Sequence, residues 1–239
     1  MKVINHINYN IHDSIKRVKD ILDLPPSNFI EASSIPSRDS LTYSNGYYVN
    51  VAAIFIDIVG SSDLTNEHKR PILAKIYKSF ISECVAYLEG IRTCTEISIN
   101  GDCVWGVLDT RNMDELITHA AFIDGIILNI NKELRKRGYS TLNIGIGIDY
   151  GRALMVKAGY SGSGINDVIW MGDVINSACH LCNKANRNGH KQLVISKDVF
   201  SGLSECDKKL FSCILTESNK LAYQGNITIP YLEKLANED

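Results

Sequence analysis

Val49-Asn50-Val51-Ala52-Ala53-Ile54-Phe55-Ile56-Asp57-Ile58 is an almost continuous apolar run rich in Val and Ile, the pattern of a central strand covered on both faces. It gives way to Val59-Gly60-Ser61-Ser62, so Asp57 stands where a buried strand ends and a turn begins. Further on, Asn100-Gly101, the strongest short hairpin signal, sits between Glu96-Ile97-Ser98-Ile99 and Cys103-Val104-Trp105-Gly106-Val107-Leu108. Alternation puts Ile97 and Ile99 on one face and Glu96, Ser98 and Asn100 on the other. Asp102 follows that tight turn. If the strands are neighbours, both carboxylates meet at one sheet edge.

Between these strands, Asp63 or Thr65 is placed to cap a helix whose apolar residues recur at Ile72, Leu73, Ile76, Phe80, Ile81, Val85 and Leu88, with Gly90 ending it. A second long helix is expected from about Met113 to Arg137, stopped by Gly138, and a strand from Leu142 to Asp149. The order β-α-β-β-α-β predicts an α+β fold with a ferredoxin-like core, two helices packed on one face of a mostly antiparallel sheet. Later come expected strands at Ala153 to Val156 and Val168 to Met171, a helix from Asp173 to Asn186, a strand at Leu193 to Ser196 and a mixed tail. Residues 1–46 read as a separate arm, with a helix around Ile11 to Leu24, then Pro25-Pro26 and an irregular polar stretch. The expected division is therefore an arm, residues 1–46, a main domain, residues 47–202, and a C-terminal extension, residues 203–239.

Composition removes some classes of function. The 239 residues are 45% hydrophobic, enough for a full core. With 25 basic against 27 acidic residues, the net charge of -2 lacks the positive balance of a nucleic-acid binder. No apolar run approaches the length of a membrane span, and His6, Asn8, Asn10 and His12 occupy the place of a signal-peptide core. A cytoplasmic protein with no membrane partner is expected. Seven cysteines fit reduced thiols, most of them small core residues.

A pair of carboxylates at a strand edge is what a divalent metal beside a polyphosphate requires. Asp57 and Asp102 are placed to hold one or two Mg2+ or Mn2+ ions, with the carbonyl of Ile58 as a further hard oxygen ligand. The alternative is that Asp102 merely suits its turn and Asp57 caps a helix. Gly60-Ser61-Ser62 lies where free backbone N–H groups and a helix dipole favour phosphate oxygens, a weak signal without the aspartate before it. Trp170-Met171-Gly172-Asp173-Val174-Ile175-Asn176 opens the later helix, with His180 one turn past Asn176. Asn176 suits a phosphate or ribose oxygen; the alternative for both is a solvated helix face. Cys179-His180-Leu181-Cys182 lacks the second Cys pair that a structural zinc site needs. Lys184, Arg187 and Lys191 read as solvated surface, with phosphate contact as the minority reading.

In this order the motifs resemble those of class III nucleotidyl cyclase catalytic domains, over roughly Tyr47 to Phe200. Phe55 to Gly60 matches the first metal motif, Asp63 to Tyr77 the helix with a central proline, and Gly101-Asp102 the second metal motif. Trp170 to Ala178 matches the Trp-Gly-x-x-Val-Asn-x-Ala motif, with Met171 as a one-residue shift. The resemblance implies that residues 47–202 are the catalytic domain and that Asp57, Ile58 and Asp102 hold two cations, Mn2+ or Mg2+. It also implies that the turn Gly60, Ser61, Ser62, Asp63 takes the terminal phosphates and that Asn176 orients the ribose. Such domains are head-to-tail homodimers, so the metals of one chain would face Asn176 and His180 of the other.

Three positions depart from the purine cyclases. Ser98 and Ile169 stand where that family reads its base, and His180 stands where it has the transition-state arginine. A neutral imidazole offers one donor where arginine offers five, so Lys157, Arg152 or Arg187 becomes a candidate for the missing charge. Loss of both purine-reading positions makes ATP or GTP a poor fit and a smaller base plausible. The pattern is similar to the pyrimidine cyclases of bacterial Pycsar antiphage defence, including Arg38-Asp39-Ser40-Leu41-Thr42-Tyr43 and Lys157-Ala158-Gly159-Tyr160. That resemblance implies cyclic UMP from UTP, somewhat ahead of cyclic CMP from CTP, as a messenger read by a separate effector protein. A divergent adenylate cyclase and a non-catalytic cyclase-like module are the competing readings. Tyr43 is a candidate base-side contact, with an ordinary packing tyrosine as its alternative.

Overall fold

In the computed structural model, which describes residues 8–216 and 219–237, the arm begins with helix α1 (Ile11–Leu22), two residues shorter than expected. Asn10 caps it, its side chain accepting from the backbone N–H of His12 at 2.9 Å. Strand β1 (Phe29–Glu31) precedes the long strand β2 (Gly46–Ile58), which is the apolar run of the sequence. Then come α2 (Ser61–Glu67), α3 (Arg70–Glu89), β3 (Cys94–Asn100), β4 (Cys103–Leu108), α4 (Met113–Lys136) and β5 (Ile144–Tyr160). The remainder is β6 (Ile165–Met171), α5 (Asp173–Lys184), β7 (Leu193–Ser196), α6 (Lys197–Ser201), α7 (Glu205–Lys208), β8 (Ser212–Leu215), β9 (Leu221–Gly225) and α8 (Pro230–Asn237).

Two compact units arise, one holding the described residues up to Asn50 with Arg152–Asp173, the other Val51–Gly151 with the described residues from Val174 onward. In the larger unit the strands follow the order β3-β4-β2-β5-β7-β9-β8. Its first four are the β-α-β-β-α-β core in ferredoxin-like order, so the α+β expectation holds. Ile54, Ile56 and Ile58 of β2 and Ile144, Ile146 and Ile148 of β5 pack with Ile76, Phe80 and Leu88 of α3 and Leu116, Ile123 and Ile127 of α4. Alternate residues of both strands therefore face the long helices, and Phe55, Asp57, Gly145 and Gly147 project to the other face.

The smaller unit pairs β1 with the start of β2, and the end of β5 with β6 as a hairpin. Arg152 pairs there with Glu31, and its guanidinium also covers the Tyr48 ring at 3.8 Å.

Several boundaries differ from expectation for local reasons. The single helix expected after the first strand is two, because Pro71 at the start of α3 suits only a first turn and Lys69 is extended before it. Neither Asp63 nor Thr65 caps α2: Gly60 does, in the left-handed region at φ 70. The strands expected at Leu142 to Asp149 and Ala153 to Val156 are one 17-residue strand, since Gly151 does not interrupt it. Only Cys84 and Cys182 of the seven free cysteines are buried, so most thiols are not core residues.

Buried Asn131 ties α4 to the entry of β5, donating to Leu142 O at 2.8 Å and accepting from Leu142 N at 2.7 Å. Asn131→Leu is expected to lose about 2–3 kcal/mol, because both backbone groups of Leu142 are left dry and unpaired. Urea unfolding measures it, and a loss below about 0.5 kcal/mol would mean that water replaces the amide.

Candidate active site

Strand register assembles the acidic edge. Asp57 is the last paired residue of β2 against β4 and stands opposite Cys103, while Asn100 of β3 stands opposite the same Cys103. Asp102 precedes Cys103 in the turn, where Gly101 takes φ 64. Burial raises the Asp57 carboxyl above its ordinary pKa, and the nearby charge of Asp102 raises it further, against the opposing pull of Arg187. Two like charges are thus held close enough to disfavour each other, which is what a shared cation relieves. Ser98 opposes Trp105, which opposes Phe55 and stacks on it at 5.1 Å. Ser98 therefore shares the face of Asp57, as alternation predicts.

The Gly60 to Asp63 turn follows at once. Asp63 N donates to Gly60 O at 2.9 Å, closing the turn at the start of α2. The Tyr77 phenol of α3 reaches it and hydrogen-bonds Ser61. Burial raises the pKa of Tyr77, the Ser61 bond opposes the rise, and the charges of Asp102 and Asp57 add to it. Tyr77 was only the end of a motif in the sequence, and no local pattern marks it as part of the site.

Arg187 is the main correction. Expected as solvated surface, it is part-buried, and its Nη2 donates to Asp57 Oδ2 at 2.6 Å and to Ile58 O at 3.4 Å. Its Nη1 donates to Cys182 O at 3.0 Å and to Ala185 O at 3.2 Å, carbonyls at the end of α5. The turn that carries it uses left-handed Asn186 and Asn188, and Asn186 Nδ2 donates to Ile144 O at 3.0 Å. Of the three cations considered for the missing charge, Arg187 touches the candidate metal oxygens. Arg152 is paired within the smaller unit, and the Lys157 ammonium lies 5.2 Å from the centre of the Tyr43 ring in that same unit.

Asn176 and His180 are both exposed on α5, with no hydrogen bond to Asp57 or Asp102 among the described residues. The α5 residues that feel the charge of Asp57 are Cys179 and Cys182. Burial pushes the Cys103 thiol up to about 12, with Asp57 adding to the rise, so that thiol stays protonated at neutral pH. Ile169 belongs to the smaller unit, 42% exposed and paired with Val156.

The donor set fits a hard divalent cation: two carboxylates and a backbone carbonyl, all oxygen. Among the described residues no three His, Cys, Asp or Glu side chains converge. A cation held here would therefore complete its shell with water and phosphate oxygens, the habit of Mg2+ in nucleotide enzymes.

Comparison with known proteins identifies the family. Residues 44–229 match the family described as the adenylate and guanylate cyclase catalytic domain. A uridylate cyclase of Gulbenkiania mobilis is 35% identical over 98% of both chains. A uridylate cyclase of Treponema porcinum is 34% identical, over 85% of this chain and 72% of its own. Among solved structures, the adenylyl cyclase CyaB from P. aeruginosa superposes with a TM-score of 0.63 at 17% identity, over 78% of this chain and 98% of that one. The guanylyl cyclase Cya2 gives 0.64 at 12% identity, over 78% and 96%. With the family model spanning most of its length and the β-α-β-β-α-β sheet carrying the paired aspartates, this chain belongs to the class III nucleotidyl cyclases and is a nucleotide cyclase.

Proposed function

We propose that this enzyme converts UTP to 3′,5′-cyclic UMP and pyrophosphate as a homodimer, using two divalent cations, Mn2+ or Mg2+. The observation that carries the pyrimidine reading is the end-to-end likeness to a uridylate cyclase, 35% identical over 98% of both chains. Ser98 and Ile169 support it, since neither offers the polar partner with which the purine enzymes read their base.

In the reaction the ribose 3′ oxygen attacks the α-phosphorus. That O–P bond forms as the bond to the β-phosphate bridge breaks, pyrophosphate leaves, and the hydroxyl proton passes to solvent. Divalent cations, when bound, lower the pKa of the attacking hydroxyl and neutralise the leaving group. Asp57, Asp102 and the Ile58 carbonyl hold them. The Gly60, Ser61, Ser62, Asp63 turn receives the terminal phosphates through backbone N–H groups, and Tyr77 steadies Ser61. Asn176 orients the ribose, and His180 donates to the phosphate from one turn further along α5. The exposure of both on α5 supports a site completed by a second subunit. Ile169 and Tyr43 of the smaller unit are the base-side candidates. The enzyme works in the cytoplasm on this reading; no helix among the described residues is long and apolar enough to cross a membrane. The product is read by a separate effector protein in antiphage defence.

Incubating purified protein with each of the four ribonucleoside triphosphates and Mn2+, and resolving the products by mass spectrometry, tests the assignment. Cyclic UMP formed at least about tenfold faster than any other cyclic nucleotide is the expected result. Cyclic CMP or cyclic AMP as main product reassigns the base. No product from any of the four rejects catalysis.

A further inference from the structure

Two negative charges at a part-buried edge need a counter-charge before any metal arrives, and the chain provides one. The guanidinium of Arg187 is fixed at both ends: Nη1 by the carbonyls of Cys182 and Ala185, Nη2 by Asp57 Oδ2 and, more loosely, by Ile58 O. The Asp57 and Arg187 side chains are only 17% and 25% exposed, so water screens the pair weakly. Arg187 thus engages two of the three groups that the metal reading assigns to the cation, through Asp57 Oδ2 and, more loosely, Ile58 O. A divalent cation on the same carboxylate would lie within a few ångströms of the guanidinium charge in a part-buried place, and the two positive charges repel each other there.

We propose that Arg187 is the resident counter-cation of the Asp57–Ile58 site, and that metal uptake is an exchange in which Nη2 is driven off these oxygens while Nη1 stays anchored on α5. This inference rests on the metal reading of Asp57 and Asp102. The edge is kept from repelling itself apart in metal-free protein, at the expense of affinity for the first cation. Arg187 is then a positioning residue for the empty site and a competitor for the filled one.

Mn2+ binding to the full-length protein without nucleotide, followed by the electron paramagnetic resonance of free Mn2+, tests the exchange. Arg187→Met is expected to bind Mn2+ about tenfold or more tightly than wild type, because the competing charge-assisted bond is gone. Arg187→Lys, which keeps the charge but loses the two-ended fork, is expected to fall between. Equal or weaker binding by a folded Arg187→Met protein would overturn the proposal and make Arg187 a support for Asp57 instead. If the variants do not fold, wild-type protein labelled with 15N-arginine decides. The Arg187 side-chain resonances should move and their slow guanidinium rotation quicken as diamagnetic Mg2+ saturates, and unchanged resonances would overturn the exchange. Asp57→Asn separates the two levels: wild-type Mn2+ uptake that this change leaves intact sinks the metal reading itself, and the exchange with it.

Discussion

Asp57→Asn and Asp102→Asn are each expected to cut cyclic nucleotide formation by about a thousandfold or more, with the fold intact. An amide keeps the shape of the carboxylate but removes the charge that binds a hard cation. Stability should move the other way for Asp57. Burial and the charge of Asp102 raise its pKa above the ordinary 3.8 in spite of Arg187. For a carboxyl raised on folding, ionisation costs stability: the native advantage is full below about 3.8 and is lost as pH rises through the raised folded value. The metal-free Asp57→Asn protein at pH 7 should therefore melt no lower than wild type, and the gap should close as the buffer is taken below pH 4. A rate that collapses while the melting temperature holds marks a residue kept for its chemistry at a stability cost. A melting temperature several degrees lower in Asp57→Asn would instead make the Arg187 pair a structural bond, and the loss of rate would then say little about metal.

Much of this was legible because it depends on periodicity and on turn chemistry. Val49 to Ile58 reads as a central strand covered on both faces, and Asn100-Gly101 is a strong tight-hairpin signal. Together they bring Asp57 and Asp102 to one sheet edge provided the two strands are neighbours, and the structure supplies that pairing, with Asp57 opposite Cys103. The alternation of Ser98 with Ile97 and Ile99 likewise separates their faces, and strand register puts Ser98 on the face of Asp57. What escaped the sequence were contacts made by long side chains across large chain separations. Arg187 lies in a polar turn between two asparagines and next to other basic residues, a composition that reads as solvated surface. Its partner is set by the way α5 leans on β5, which no local window contains. Tyr77 escaped for the same reason: it lies on α3, beyond the break at Lys69, while its partner Ser61 opens the separate helix α2. The expectation of one continuous helix was therefore a mistake with consequences for the site.

The leaning of α5 on β5 depends on residues with no side chain. Gly145 and Gly147 alternate on the face of β5 turned away from α3 and α4, and α5 lies directly on them. A Cβ on Gly147 would overlap Ala178 O and the backbone N and Cα of Cys182. A Cβ on Gly145 would meet Ala185 O and Cys182 O at 2.7 Å. These are backbone atoms inside or at the end of a helix, so no rotamer change relieves the overlap and the whole helix must move. Gly147→Ala is expected to lose about 3 kcal/mol in urea unfolding, and Gly147→Val more. Activity should fall further than stability explains. The same displacement shifts Asn176 and His180, and it pulls the Cys182 and Ala185 carbonyls away from Arg187, loosening the guanidinium that faces Asp57. A Gly147→Ala protein with wild-type stability and full rate would mean that α5 has room to slide, and the close seating of helix on strand would no longer account for the geometry of the site.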